Sequence, residues 1–293
     1  MGKLFEKLYI KRLNKIISKH NLIIDEQFGF RSNHSTVEQL HRVVAGIETA
    51  LEKKEFCNAV FLDVAQAFDK VWHDRLIYKL SLVLPFNHVE ILSSYLKNGE
   101  FRVRFEDSFS PFLPIEAGVP QGSVLSPTLY SLFTADIPKS RGSGKKGIFA
   151  DDTALYTSSP LYLQTVNTLQ RDLDDIQEWT VKNCIEINAS KSENVVYTNR
   201  PYVHTPLIFD NNIIPHKFKA KYLGLIMDSK LNWRSHIETK INQIEIKVRK
   251  MMWLLGRKKC LSAECMVDTK IGFTLTLIRR RLAFWMWMKV YVA

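Results

Sequence analysis

Three aspartates stand where apolar runs stop. Asp63 follows Ala59-Val60-Phe61-Leu62, and Asp151-Asp152 separates Ile148-Phe149-Ala150 from Thr153-Ala154-Leu155-Tyr156. Short continuous apolar runs of this kind read as buried strands, and a carboxylate at such an end lies close to a core that penalises unpaired charge. If the two segments lie side by side, the carboxylates converge on a site for two hard, oxygen-seeking cations such as Mg²⁺. Two ions about 3.5–4 Å apart activate an attacking hydroxyl and stabilise a leaving phosphate, which is nucleotidyl-transfer chemistry. The spacing admits a plainer arrangement too, with Asp-Asp as a turn pair and Asp63 as a helix cap.

The elements that must position these residues can be read in outline. Met1 to Leu22 is a Lys-rich amphipathic stretch with Leu4, Phe5, Leu8, Ile16 and Ile17 as its apolar side. A turn at Asp25–Arg31 leads to a second helix, capped by Ser35 or Thr36 with Glu38 in its first turn. After Asp63 the pattern predicts a helix running to Leu80–Leu84 and ended by Pro85. Phe101-Arg102-Val103-Arg104-Phe105 alternates with period two and predicts a half-buried strand. Gly118–Gly122 is a loop, with helical spacing from Ser123 to Phe133. Residues 141–147 predict a flexible basic loop. Leu163, Val166, Leu169, Leu173, Ile176 and Trp179 give the strongest helix signal in the chain. Strands are expected at Cys184–Asn188 and Val195–Tyr197, around a turn containing Lys191, and a helix from Trp233 to about Leu255. Strands and helices mixed in this way predict an α+β or α/β sheet domain with a helical tail.

Composition narrows the class of protein. The 293 residues are 46% hydrophobic and carry 41 Lys and Arg against 30 Asp and Glu, for a net charge of +11. Twelve Gly and ten Pro exclude a collagen-like or low-complexity chain. The positive surplus favours a polyanionic partner, nucleic acid or an acidic membrane surface. Cys57, Cys184, Cys260 and Cys265 form no C-x-x-C pair, so neither a structural zinc nor a disulfide framework is expected. No secretory signal opens the chain, and Arg279-Arg280-Arg281 breaks its most membrane-like run, so an intracellular protein without a membrane partner is expected.

Several ordered blocks carry a more specific signal. Gln27-Phe28-Gly29-Phe30-Arg31 with His34-Ser35-Thr36 is followed by Phe61-Leu62-Asp63-Val64-Ala65-Gln66-Ala67-Phe68-Asp69-Lys70-Val71. Gly118-Val119-Pro120-Gln121-Gly122-Ser123-Val124-Leu125-Ser126-Pro127 and Phe149-Ala150-Asp151-Asp152 come next. Ile187-Asn188 with Lys191, then Tyr222-Leu223-Gly224 with Leu231-Asn232-Trp233, complete the series. In this order the chain resembles the reverse transcriptases of non-LTR retrotransposons, with wording nearest the insect jockey-like mobile elements. The resemblance covers roughly residues 1 to 256.

That resemblance implies a right-hand polymerase fold: partial fingers over 1–55, a palm of antiparallel sheet backed by helices over 56–220, and a primer-grip region with a partial, atypical helical thumb over 221–293. It implies Asp63, Asp151 and Asp152 as ligands of two Mg²⁺ ions, with Mn²⁺ as the alternative. Phe68 would lie under the incoming sugar and exclude a 2′-hydroxyl. Gln121 would contact the dNTP, and Gly122 would let backbone approach it. Arg31 would pair with the triphosphate, and Lys191 would give a proton to the leaving pyrophosphate, a general-acid role worth about 10²–10⁴ in rate. Tyr222, Leu223 and Gly224 would form the primer grip. The implied partners are an RNA template, a DNA primer or target, and dNTPs; nuclear residence would follow from how such elements integrate.

Residue types alone leave plainer roles open: Phe68 as a core aromatic, Pro120-Gln121-Gly122 as a simple turn, and Arg31 and Lys191 as solvated loop cations. Asp69, His73 and Asp74 follow the family's wording but read as helix surface. Lys247, Arg249, Lys250, Arg257, Lys258 and Lys259, with Trp253 among them, suit a template–primer backbone or a solvated helix face. The family's further finger segments and endonuclease do not precede Gly2–Lys7, and Phe284–Met288 is apolar on every face. We therefore expect a truncated or decayed copy with an intact palm and an aggregation-prone Trp/Met patch. Other readings are a catalytically inactive nucleic-acid-binding remnant and a group II intron maturase-like protein.

Overall fold

The computed structural model describes residues 2–255 apart from 98 and 141. The predicted Trp/Met patch and the basic positions 257–259 lie outside the described residues. The chain divides into two compact units, 1–236 and 237–293.

In chain order the elements are α1 (Gly2–His20), α2 (Thr36–Glu52), β1 (Phe56–Leu62), α3 (His73–Val83) and α4 (Phe86–Leu96). Four two-residue strands follow, β2 (Glu100–Phe101), β3 (Arg104–Phe105), β4 (Ser108–Phe109) and β5 (Leu113–Pro114), then α5 (Ser126–Phe133), β6 (Lys145–Phe149), β7 (Asp152–Ser159) and α6 (Tyr162–Asn183). The remainder is β8 (Glu193–Tyr197), β9 (Ile208–Phe209), β10 (Asn212–Ile213), β11 (Lys219–Tyr222), β12 (Leu225–Asp228) and α7 (Arg234–Leu255). No helix among the described residues is long and apolar enough to cross a membrane.

A four-stranded sheet in the order β6-β7-β1-β8 organises the first unit, and every pairing in it is antiparallel. Strand β1 is interior to the sheet and buried along its whole length, which is why Ala59–Leu62 reads as a continuous apolar run; the buried Asn58 before it accepts from the Asn194 side chain at 2.6 Å. Its side chains still alternate between two cores. Phe56, Val60 and Leu62 pack with α6 residues such as Leu169, Leu173 and Ile176 on one face. Cys57, Ala59 and Phe61 pack on the other with Val43, Val44 and Ile47 of α2 and with Tyr222 of the β11–β12 hairpin. A third core joins α1, α3, α4 and α5 through Leu13, Leu76, Leu80, Leu92 and Phe133. Of the two expected caps, Ser35 and Thr36, it is Ser35 that caps α2, in a reciprocal capping box with Glu38.

Several expectations need correction. The segment after Asp63 runs through turns to Trp72, and the helix begins only at His73. The reason is tethering from both sides: Ala65 N–H donates to the Glu186 carbonyl, and Val119 N–H to that of Phe68. Residues 101–105 form no half-buried strand. Phe101 ends β2 and Arg104–Phe105 form β3, both exposed, with Arg102 and Val103 between them, and the Arg102 guanidinium lies over Phe109 and Phe112 by cation–π contact. Cys184 is the left-handed cap of α6, with φ of 53°, so Cys184–Asn188 is no regular strand; only Ile187 makes a bridge, to Val64. Lys145–Gly147 are not loop residues but part of β6, where burial of Lys146 pushes its ammonium pKa down despite Asp172, Glu26 and Asp175 nearby. On α1 the buried positions are Glu6, Tyr9, Leu13 and Ile17, whereas Leu4, Phe5 and Leu8 are exposed.

Candidate active site

Sheet register brings the separate aspartates to one end. Leu62, the last residue of β1, pairs with Thr153, so Asp63 continues opposite Asp152. Asp152 in turn faces Phe149 across the tight turn that carries Ala150 and Asp151. All three aspartates keep solvent access. Partial burial raises the Asp152 carboxyl pKa, and the charges of Asp151 and Asp63 push it further up, with Lys221 pulling the other way. Oxygen-only donors in mutual repulsion suit hard divalent cations. Among the described residues, no group of three or more His, Cys, Asp or Glu stands close enough to hold a metal ion as placed.

The turn is braced from beneath by the loop before α2. Ala150 has φ of 57°, a costly conformation for a residue with a Cβ. The buried Gln27 side-chain oxygen accepts from Ala150 N–H at 3.0 Å and from Gly29 N–H at 2.8 Å. Phe28 N–H donates to the Ile148 carbonyl and Ile148 N–H to that of Glu26, so this loop docks along β6. A Cβ on Gly29 would lie 2.3 Å from Ala150 N, so only glycine permits the approach. Arg31, at the end of the loop, donates to the carbonyls of Ile24 and Gln27, and its guanidinium lies 3.9 Å from Asp25.

A second wall is made by the Val64–Trp72 segment and the Gly118–Gly122 loop. Phe68 stacks on Tyr130, with ring centroids 4.8 Å apart, and meets the exposed Phe30 edge-on. Tyr130 is buried, and both burial and the Asp151 charge drive its hydroxyl pKa upward. Gln121 donates to Asp69 at 2.9 Å, and the His73 ring bonds the Gly118 carbonyl at 2.6 Å. Asp69 and His73, read from the sequence as idle helix surface, therefore hold this loop in place. Gly122 has φ of +84° with no atom within 4 Å of where a Cβ would stand. Its glycine answers the backbone conformation and leaves open space beside it.

Glu6 anchors the loop from the far side. Its buried carboxylate accepts from Val124 N–H at 2.6 Å, Ser123 hydroxyl at 3.0 Å and Tyr95 hydroxyl at 3.2 Å. Sequence reasoning missed it, since an isolated Glu in a Lys-rich helix gives no sign of facing inward. Gln27 and Asp69 were missed in the same way, although both lie within the quoted blocks.

Lys191 lies on an exposed turn tied to the first aspartate. Asn188 N–H donates to the Asp63 carbonyl at 2.8 Å, and Asp63 N–H donates to the Ser192 hydroxyl at 3.1 Å. Tyr222 ends β11, with Leu223 and Gly224 in the turn to β12 at φ of 46° and 82°. Tyr222 itself is buried: its ring packs on Phe61, and its hydroxyl donates to the Gly147 carbonyl at 2.9 Å. In the turn Gly224 is exposed, whereas Leu223 is half-buried and packs against the same core as the Tyr222 ring. Lys247, Arg249 and Lys250 lie on α7, where Arg249 pairs with Glu245 of the same helix at 3.7 Å.

The family profile "Reverse transcriptase (RNA-dependent DNA polymerase)" matches residues 1–227. The chain is 40% identical over 271 residues to the RNA-directed DNA polymerase from mobile element jockey of Drosophila funebris, covering 90% of this chain and 30% of that protein. It is 38% identical, also over 271 residues, to the probable RNA-directed DNA polymerase from transposon BS of Drosophila melanogaster, covering 89% and 30%. The chain thus spans about 30% of the length of these relatives. Among solved structures it is similar to an apo telomerase from Candida tropicalis truncated from its C-terminal domain. The TM-score is 0.53 at 15% identity, over 77% of this chain and 44% of that one. That likeness bears on the fold alone and agrees with an α+β polymerase palm, and the profile match over 1–227 decides the rest: the chain belongs to the reverse transcriptase family.

Proposed function

We propose that this chain carries the nucleotidyl-transfer centre of a non-LTR retrotransposon reverse transcriptase, joining a dNTP to a primer 3′-hydroxyl as directed by an RNA template. The observation that supports it most is the register placing Asp63 opposite Asp152 at the end of the sheet, with Asp151 in the adjoining turn. In this reading Asp63, Asp151 and Asp152 hold two Mg²⁺ ions, or Mn²⁺. Such ions, when bound, neutralise phosphate charge and make a hydroxyl a better nucleophile at neutral pH.

The remaining roles belong to side chains around that centre. Phe68, backed by Tyr130, forms the floor under the sugar and excludes a 2′-hydroxyl. Gln121, oriented by Asp69, and the open space at Gly122 receive the dNTP. Arg31 turns a donor toward the triphosphate, and Lys191 holds a proton for the leaving pyrophosphate. The turn of Leu223 and Gly224, mounted on the buried Tyr222, grips the primer. The fingers, palm and grip–thumb division at 1–55, 56–220 and 221–293 fits a four-stranded sheet contained within 56–197.

Primer extension on an RNA template with Mg²⁺ and dNTPs tests the assignment. Asp63→Asn and Asp151→Asn are each expected to abolish incorporation without changing the far-UV circular dichroism. Full activity in either variant sinks the carboxylate assignment. A wild-type chain that binds RNA and extends nothing is the inactive nucleic-acid-binding remnant.

A further inference from the structure

Helix α1 presents two ridges of different chemistry. Tyr9, Leu13 and Ile17 recur every four residues and are buried. Lys3, Lys7, Lys11, Lys15 and Lys19 also recur every four, two positions out of step, and all five are exposed. Each four-residue step advances by about 40°, so the lysine row winds by about 160° from Lys3 to Lys19 but stays on the half of the helix turned away from Tyr9, Leu13 and Ile17. The acidic side chain of this helix, Glu6, faces inward onto Val124 and Ser123. Among the described residues none of the five lysines makes an ion pair.

Like charges at i,i+4 destabilise an isolated helix, and a polyanion laid along this row of five relieves that repulsion. The row is about 24 Å long in steps of about 6 Å. Five ammonium groups spread over that length are within reach of several successive phosphates of one nucleic-acid strand. We infer that the outer face of α1 binds the phosphate backbone of an RNA strand without reading its sequence. Glu6 bonds α1 to the loop that carries Gln121 and Gly122, so a strand on this face is held at a fixed offset from the site. An acidic membrane is the weaker match. A helix that lies in a bilayer surface inserts its apolar face, and here that face is spent on the core; the exposed Leu4, Phe5 and Leu8 are confined to the first two turns.

The choice of RNA rests on the proposed activity, whereas the backbone contact does not, and binding is the quantity to measure. Anisotropy of a labelled mixed-sequence single-stranded RNA is followed against KCl for the full chain, for a variant with all five lysines changed to Gln, and for one with all five changed to Arg. Each backbone contact contributes about 0.7 to the log–log salt slope, so the Gln variant loses up to about 3.5 of slope and the Arg variant keeps it. Lys11→Gln with Lys15→Gln, expected to lose about 1.4, serves if the fivefold change lowers stability. An unchanged slope in the Gln variants overturns the inference. So does loss of binding to phosphatidylserine vesicles with RNA binding intact. The Asp63→Asn chain should keep the wild-type slope; a chain that extends no primer yet loses slope with its lysines sinks the polymerase reading and leaves this one standing.

Discussion

Gly29 and Ala150 approach so closely that a single methyl group decides whether the carboxylate turn keeps its shape. With a Cβ at position 29 lying 2.3 Å from a backbone nitrogen, no side-chain rotation relieves the overlap, and the loop or the turn must move. Gly29→Ala is therefore expected to cost about 1–3 kcal/mol by overpacking. It should also reduce incorporation more than that loss explains, because the displaced residue adjoins Asp151. Urea unfolding beside primer extension checks this, and a variant equal to wild type in both would show that the contact does not brace the turn. At this scale the placement of the aspartates at strand ends was legible from the apolar runs they close, while their role as metal ligands came only from the family resemblance. Gln27, Glu6 and Asp69 were not. Each acts on a segment distant in sequence, across 123, 118 and 52 residues, and no local pattern encodes such a partner.

Among the elements, β1 controls most. It is paired on both sides, and its two faces feed separate cores, so groups on it are sealed from water. Burial pushes the Cys57 thiol up to about 12. The folded-state pKa is raised, so the native chain keeps this proton where the unfolded chain loses it. The contribution is complete below the unfolded value of about 8.5 and is lost as pH rises from there toward 12. Between pH 8 and 10 stability should fall by about 1–2 kcal/mol more in wild type than in Cys57→Ala. Urea midpoints at the two pH values test it, and parallel slopes would mean the thiol is not sealed. Long or fully buried elements such as β1, α6 and α2 were readable because periodicity and capping act within a few residues. The period-two run at 101–105 misled because alternation signals a two-sided surface, not which side is buried. There Arg102 lies over Phe109 and Phe112, so aromatic area is covered by a cation at the surface.

At the scale of the molecule, the sheet, its flanking helices and the carboxylate end all fall within the unit formed by residues 1–236. A chain ending at His236 should therefore unfold cooperatively in urea, at close to the full chain's midpoint as followed by far-UV circular dichroism. A broad, non-cooperative transition would show that residues 237–293 complete the fold. The order of the motif blocks, the mixed α+β pattern, the positive surplus and the strand-end aspartates were determined by the sequence itself, because each depends on composition or on neighbours a few residues away. Only the tertiary structure decided that Asp63 stands opposite Asp152, that Tyr222 is a buried support under its turn, and that α1 faces its lysines outward while Glu6 holds the loop of Gln121. Those outcomes depend on strand register and on which side of a helix finds a core, and both are settled by packing between segments far apart in the chain.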